Sequence, residues 1–268
     1  MNVTELLDHV PLWGLFVASL AVTLLSIELG FRLGQWRRRN LDAAEKIQVG
    51  PFVAASLSLL AFMLAMVFNA VQSRHNELKH VVLDEANAIG TAYLRADLLP
   101  EADRAEIRQL LHDYVALRIE AVQQGTEQQI EQAIARSEKL QSALWSRAVA
   151  VVNRQPTPVA SLVVQSLNEV FDLHEKRITL GIHYRLPGII WMVLCGVAIL
   201  ALAMGGYDGG LSGSRRIIAI SVATAVAFSV VFLLVIALDR PYQHLSSTSE
   251  AAMLDLRESI RRSMQSRP

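Results

Sequence analysis

The chain has 268 residues, 52% of them hydrophobic, and its 25 Lys and Arg balance 25 Asp and Glu to a formal net charge of zero. So much apolar content at average charge points to a membrane protein, and the neutral balance lacks the basic footprint of a nucleic-acid binder. One cysteine, Cys195, excludes an intramolecular disulfide and a cysteine-based zinc site.

Four apolar stretches reach the length of about 20 residues that a helix needs to cross a hydrocarbon core about 30 Å thick. They are Pro11 to about Leu29, Pro51 to Val71, Pro187 to about Met204, and Ile217 to Leu238. The expected plan is a first transmembrane pair with a basic loop in residues 1–71, an extramembrane helical region in 72–186, a second transmembrane pair in 187–238, and a C-terminal helix and tail in 239–268. Residues 1–10 hold Glu5 and Asp8 but no Lys or Arg. The positive region of a signal peptide is missing, so the first run is expected as a retained span.

Near the end of that span Glu28 is an ionisable group at a costly depth, with Arg32 four positions on; an interfacial ion pair is the plain expectation. Gly30 and Gly34 have the small-xxx-small spacing that lets helices approach closely. In the second span Ala54, Ser58, Ala61 and Ala65 form a small-residue ridge, and Phe52, Phe62 and Phe68 supply bulk. A ring of such helices could enclose a pore with an apolar constriction, although ordinary span packing has the same pattern. Arg37, Arg38, Arg39 and Lys46 follow the first span, and Arg215 and Arg216 lie between the last two. Short basic loops stay cytoplasmic, which puts both termini and the 72–186 region on the periplasmic side of a bacterial inner membrane. Arg74, Lys79, Lys176, Arg177 and Arg185 flank the spans on the other side and leave the reverse topology open.

From Gln72 to Leu99 the chain has no Pro and one Gly, so the second span is expected to continue outward as one helix until Pro100 ends it. Glu101 and Asp103 then open a helix whose Ile107, Leu110, Leu111, Tyr114, Leu117 and Ala121 recur at spacings of three and four. A third helix runs from about Thr126 to Asn153, Gln155-Pro156-Thr157-Pro158 breaks it, and a fourth starts near Val159. No stretch alternates with period two. The fold class is therefore all-α: an integral membrane protein with four transmembrane helices and an extramembrane helical bundle. Gly205-Gly206-Tyr207-Asp208-Gly209-Gly210 is expected as a flexible hairpin between the last two spans.

The stretch Asp84 to Asp97 carries several charges, and helical phase ranks them. At about 100° per residue, Leu78, Val81, Val82, Ile89, Ala92 and Ala96 all fall within about 60° of Glu85, whereas Asp84, Arg95 and Asp97 lie toward the edge. Glu85 is thus the charge placed for burial, and it needs a partner. Arg118 faces inward on the next helix beside Tyr114, so a polar contact of Glu85, Arg118 and Tyr114 inside the bundle is the plain reading. An oligomer axis or a ligand cavity is the sharper one. His80 and Asp84, with His75 nearby, lack the ligand number and spacing of a zinc site and read as a solvated polar face. No activated nucleophile or phosphate loop is present, so no enzyme activity, metal or cofactor is expected.

Four segments together, "ELGFRLG", "QVGPFVAASLSLLAFMLAMVF", "DEANAIGTAYLRADLLP" and "LDRPY", resemble a bacterial family of four-pass membrane proteins described as bestrophin-like. Bestrophins are pentameric anion channels with two spans, a helical cytosolic region and two more spans, so the resemblance implies a homo-oligomer in a lipid bilayer with ions as its passengers. It also implies that Asp239, Arg240, Pro241 and Tyr242 correspond to the family's turn after the last span. The acidic calcium clasp that follows in bestrophins is not matched, since "QHLSSTSEAAML" has one acid. The basic loops argue for the opposite orientation to bestrophins, and the charge argument is kept. The expected function is an oligomeric channel-like protein, with anions as the implied ion. The alternative is a non-conducting membrane scaffold or sensor whose bundle binds a protein partner.

Overall fold

The computed structural model describes residues 10–40, 48–124, 127–184, 186–213, 218–240 and 248–265. Among these no strand occurs. The helices are α1 (Leu12–Arg39), α2 (Gly50–Arg95), α3 (Glu101–Gln124), α4 (Glu127–Arg154), α5 (Pro158–Ile178), α6 (Gly188–Ser212), α7 (Ile218–Asp239) and α8 (Thr248–Gln265). A 3-10 turn, Ala96–Leu98, closes α2, and a π-helical turn, Thr179–His183, closes α5. Four helices, α1, α2, α6 and α7, are long and apolar enough to cross a membrane.

The chain packs as two compact units, residues 1–73 with 185–240, and residues 74–184 with 241–268. The 46 residues of α2 contribute to both. The first unit holds the membrane helices. Its core joins Leu60, Val67 and Val71 of α2 to Trp191, Leu194, Ala198 and Ala201 of α6 and to Val235 and Ile236 of α7. Phe232 meets the Trp191 ring edge-on at 5.7 Å and stacks on Phe228 at 6.2 Å.

The Gly205–Gly210 run differs from expectation: it is not a hairpin but the last two turns of α6. The reason lies in α1. A methyl group on Gly30 would overlap the Ala203 carbonyl, one on Gly34 the Tyr207 carbonyl, one on Gly206 the Ile27 carbonyl, and one on Gly210 the Phe31 carbonyl. The two helices thus meet backbone to backbone, each lending glycines at a spacing of four. Glycine disfavours a helix by about 1 kcal/mol relative to alanine, but in hydrocarbon an unpaired backbone group costs more, so the run keeps its helical bonds. The helix ends instead at Gly213, whose φ of +64° is the left-handed cap that glycine supplies without strain. Thr23 and Ser26, buried on the same face of α1, bond to carbonyls of their own helix at 2.9 and 2.8 Å.

The second unit is the extramembrane bundle. Its core is built from Ile89, Ala92 and Ala96 of α2 and the turn after it, Ile107, Leu111 and Val115 of α3, Leu144, Ala148 and Val151 of α4, and Val163, Leu167 and Val170 of α5. Pro100 separates α2 from α3. Thr157 caps α5, its hydroxyl accepting from the Ala160 amide at 3.2 Å, with Pro158 in the first turn. The amphipathic α8 closes the bundle by burying Met253 and Ile260.

Gly206→Ala forces a methyl group into the Ile27 carbonyl and is expected to lower stability by about 2 kcal/mol. Gly196→Ala, where nothing lies within 4 Å of the new methyl, is expected to leave stability unchanged or raise it slightly. Unfolding midpoints in detergent compare the two, and equal effects would refute the close-contact account.

Candidate functional site

Three helices of the bundle bring polar groups, spaced by about one turn, to Glu85 or to its partners. Tyr114 and Arg118 are four apart on α3, Ser137 and Gln141 four apart on α4, and His174 and Arg177 three apart on α5. Each pair therefore lies on one helix face, and all three faces turn to the same point. Glu85, Tyr114, Ser137 and His174 have no exposed surface, and Arg118 and Arg177 almost none.

The carboxylate of Glu85 lies between two guanidiniums. Its Oε1 is 3.5 Å from Arg118 Nε and its Oε2 is 3.0 Å from Arg177 Nε. The Tyr114 hydroxyl donates to Oε1 at 3.1 Å and lies 2.9 Å from His174 Nδ1. A phenol has one proton, and the carboxylate claims it. His174 Nδ1 must then carry a hydrogen and donate it to the phenol oxygen. Gln141 Nε2 also donates to that oxygen at 3.4 Å, and Arg118 Nη1 donates to Ser137 Oγ at 3.5 Å. Burial, and then the charge of Glu85, push the Tyr114 phenol above its ordinary value, so it stays protonated and keeps donating.

This arrangement ties four helices through one buried charge. Among the described residues there is no group of three His, Cys, Asp or Glu side chains that could hold a metal ion. A second arginine site lies at the end of α2: Arg108 donates to Tyr93 Oη at 2.6 Å, to Asp97 Oδ1 at 2.5 Å and to Ser263 Oγ at 2.8 Å, with its charge 4.1 Å above the Tyr93 ring. It joins α2, α3 and α8.

The structure brings Glu85, Arg118 and Tyr114 together, and adds His174, Arg177, Ser137 and Gln141, which the sequence reading missed. A signal for two of them was present. Val163, Leu167 and Val170 form the buried stripe of α5, and the same steps of four and three lead on to His174 and Arg177. In the membrane unit Arg32 Nε donates to Glu28 Oε1 at 2.7 Å on α1. Asp239 and Arg240 are buried at the end of α7: Asp239 Oδ1 accepts from the Leu186 amide at 3.5 Å, and Arg240 Nη2 donates to the Val10 carbonyl. This part of the "LDRPY" motif thus holds the entries to α1 and α6. Pro241 and Tyr242 lie outside the described residues. Phe52 and Phe62 are each 66% exposed and Phe68 38%. They do not share a face, because at about 100° per residue Phe52 and Phe68 lie about 80° and 120° from Phe62.

Four apolar spans and a helical bundle centred on a buried ion network define an α-helical integral membrane protein. Residues 15–253 match the Bestrophin-like domain, and the chain belongs to that family. Two crystal structures of point mutants of a bacterial bestrophin homologue from Klebsiella pneumoniae share its fold. Each superposes with a TM-score of 0.66 at 14% identity, over 95% and 94% of this chain and 97% and 99% of theirs. Comparison with curated proteins found no match.

Removing one partner of a buried ion network leaves the others unpaired, so Glu85→Gln is expected to cost about 3–5 kcal/mol of stability. Exchanging Glu85 and Arg118 should not restore it, because the exchange sets a new guanidinium against Arg177. Denaturation of the single and double variants decides: full rescue by the exchange would show that Arg177 is not a partner.

Proposed function

We propose that the chain assembles into an oligomeric channel in which α2 lines the pore. The observation that carries this reading is the uncovered membrane face of α2. Phe62 and Met66 are 66% and 67% exposed, and the ridge of Ala54, Ser58, Ala61 and Ala65 is exposed beside them. The core shared by α2, α6 and α7 is apolar, so it offers no polar route across the bilayer; in this reading the route forms between several copies placed around an axis. Small residues on α2 let neighbouring copies approach, and Phe62 supplies an apolar constriction that gates by excluding water. Phe52 and Phe68 flank it on either side. Membership of the Bestrophin-like family and the fold shared with the Klebsiella pneumoniae homologue support the reading.

The purified protein is expected to run as an oligomer and to conduct in planar bilayers, with Phe62→Ala raising unitary conductance. Silent bilayers together with a monomeric mass would sink the proposal; an oligomer that stays silent would favour a scaffold whose bundle binds a protein partner.

The same reading places the bundle and both termini in the periplasm. Its support is the run Arg37, Arg38 and Arg39 that ends α1. In a Cys195→Ser background, Ser146→Cys on the exposed side of α4 should react with an impermeant maleimide in intact cells. Labelling only after lysis would reverse the orientation.

A further inference from the structure

The buried network of the bundle holds more positive charge than negative. Glu85 supplies one carboxylate, while Arg118 and Arg177 supply two guanidiniums that stay protonated. Among the described residues Glu85 is the only ion-pair partner of either arginine. Tyr114 keeps its proton, and a second proton on His174 would add charge rather than remove it. One positive charge is therefore left over, in a region where Arg118 is 2% exposed and Glu85 and His174 are 0% exposed. An unanswered charge at that depth is strongly unfavourable.

The surplus has a defined edge. In a guanidinium the Nε–H and one Nη2–H point in parallel along one side, forming the fork that grips an anion through two hydrogen bonds. On Arg118 the remaining nitrogen, Nη1, donates to Ser137 Oγ at 3.5 Å. Nε and Nη2 are buried, and neither has a hydrogen-bond partner among the described residues. Glu85 Oε1 stands 3.5 Å from Nε without bonding to it, and accepts instead from the Tyr114 hydroxyl at 3.1 Å. Val81, Val82 and Ile89 flank Glu85 on the inward face of α2 and are buried.

We propose that the fork of Arg118 seats a small monovalent anion of the halide class, such as chloride, as a fixed part of the bundle. One negative charge cancels the surplus, whereas a divalent anion reverses it. A water molecule would accept both hydrogen bonds but leave the charge unanswered. A halide accepts N–H donors from any direction, which suits a fork with apolar side chains around it. The ion is structural, enclosed as the helices close, and the proposal does not depend on whether the chain conducts.

The test is the unfolding midpoint of the full-length protein in detergent, with potassium chloride replaced stepwise by potassium gluconate at constant ionic strength. The gluconate anion is too large for the fork. A ligand that binds only the folded state stabilises it as its concentration rises, so the midpoint should climb with chloride and with bromide. Arg118→Gln removes the fork and the surplus charge together and should abolish the climb. Arg136→Gln, at an exposed pair with Glu120, should keep it. Glu85→Gln leaves two guanidiniums with no carboxylate, and the chloride concentration for half the effect should fall about tenfold. A wild-type midpoint equal in the two salts, a climb that survives Arg118→Gln or is lost in Arg136→Gln, or an unshifted half-effect in Glu85→Gln overturns the proposal. Where the buried variants do not fold, wild-type crystals grown in bromide decide. An anomalous peak within hydrogen-bonding reach of Arg118 Nε and Nη2 supports the site; a water molecule or the Glu85 carboxylate in that place overturns it.

Discussion

A carboxylate with no access to water controls how the bundle is put together. Burying Glu85 is unfavourable unless charge and hydrogen bonds answer it. The answer comes from α3, in Arg118 and Tyr114, and from α5, in Arg177 and His174. A core of Leu, Ile, Val and Ala tolerates sliding of one helix along another by exchanging similar side chains. A charge held from two sides does not, since a shift of one residue turns Glu85 about 100° away from both guanidiniums. The apolar core around Ile89, Leu111 and Leu167 supplies the bulk of the driving force. The ion network selects one register among the packings that such a core would accept.

Where α1 crosses α6, the membrane unit solves the same problem without charge. Lipid tails are as apolar as the side chains, so burial drives little association between α1 and α6. Contact must come from fit, and the closest fit available is backbone against backbone. Gly30 and Gly34 of α1 and Gly206 and Gly210 of α6 remove the side chains that would hold the helices apart. With α6 engaged by α1 on one side and by the apolar core on another, the outward face of α2 is left without a covering helix from its own chain.

How far these features could be read from sequence follows from the range of the signal. The spans, the breaks at Pro100 and at Pro156 and Pro158, and the inward phase of Glu85 are local patterns, and each was legible. Arg177 was not: its place close to the third span made it look like a flanking charge, and only its continuity with Val163, Leu167 and Val170 argues otherwise. The Gly205–Gly210 run misled for a related reason. Gly-Gly pairs mark turns when nothing approaches them, and here α1, some 175 residues earlier in the chain, does approach. Local preference fails where a distant backbone decides. The identity of the groups that meet Glu85 needed three helices placed at once, and no spacing within one helix reports that.

Asp84 and Glu85 show how sharply one helical step can divide chemistry. They are neighbours in sequence, carry the same charge and stand about 100° apart on α2. Glu85 is turned into the bundle, is matched there by two arginines, and its charge is spent on holding helices together. Asp84 is turned out beside the groove between α2 and α5 and forms no ion pair among the described residues. A long helix that leaves the membrane must keep one face for its own bundle. The charge that serves the bundle and the charge that stays outside it have to be kept apart, and adjacent positions on α2 accomplish this. Exchanging the two residues' roles would need no change of composition, only a turn of the helix, and the paired arginines on α3 and α5 are what prevent that turn.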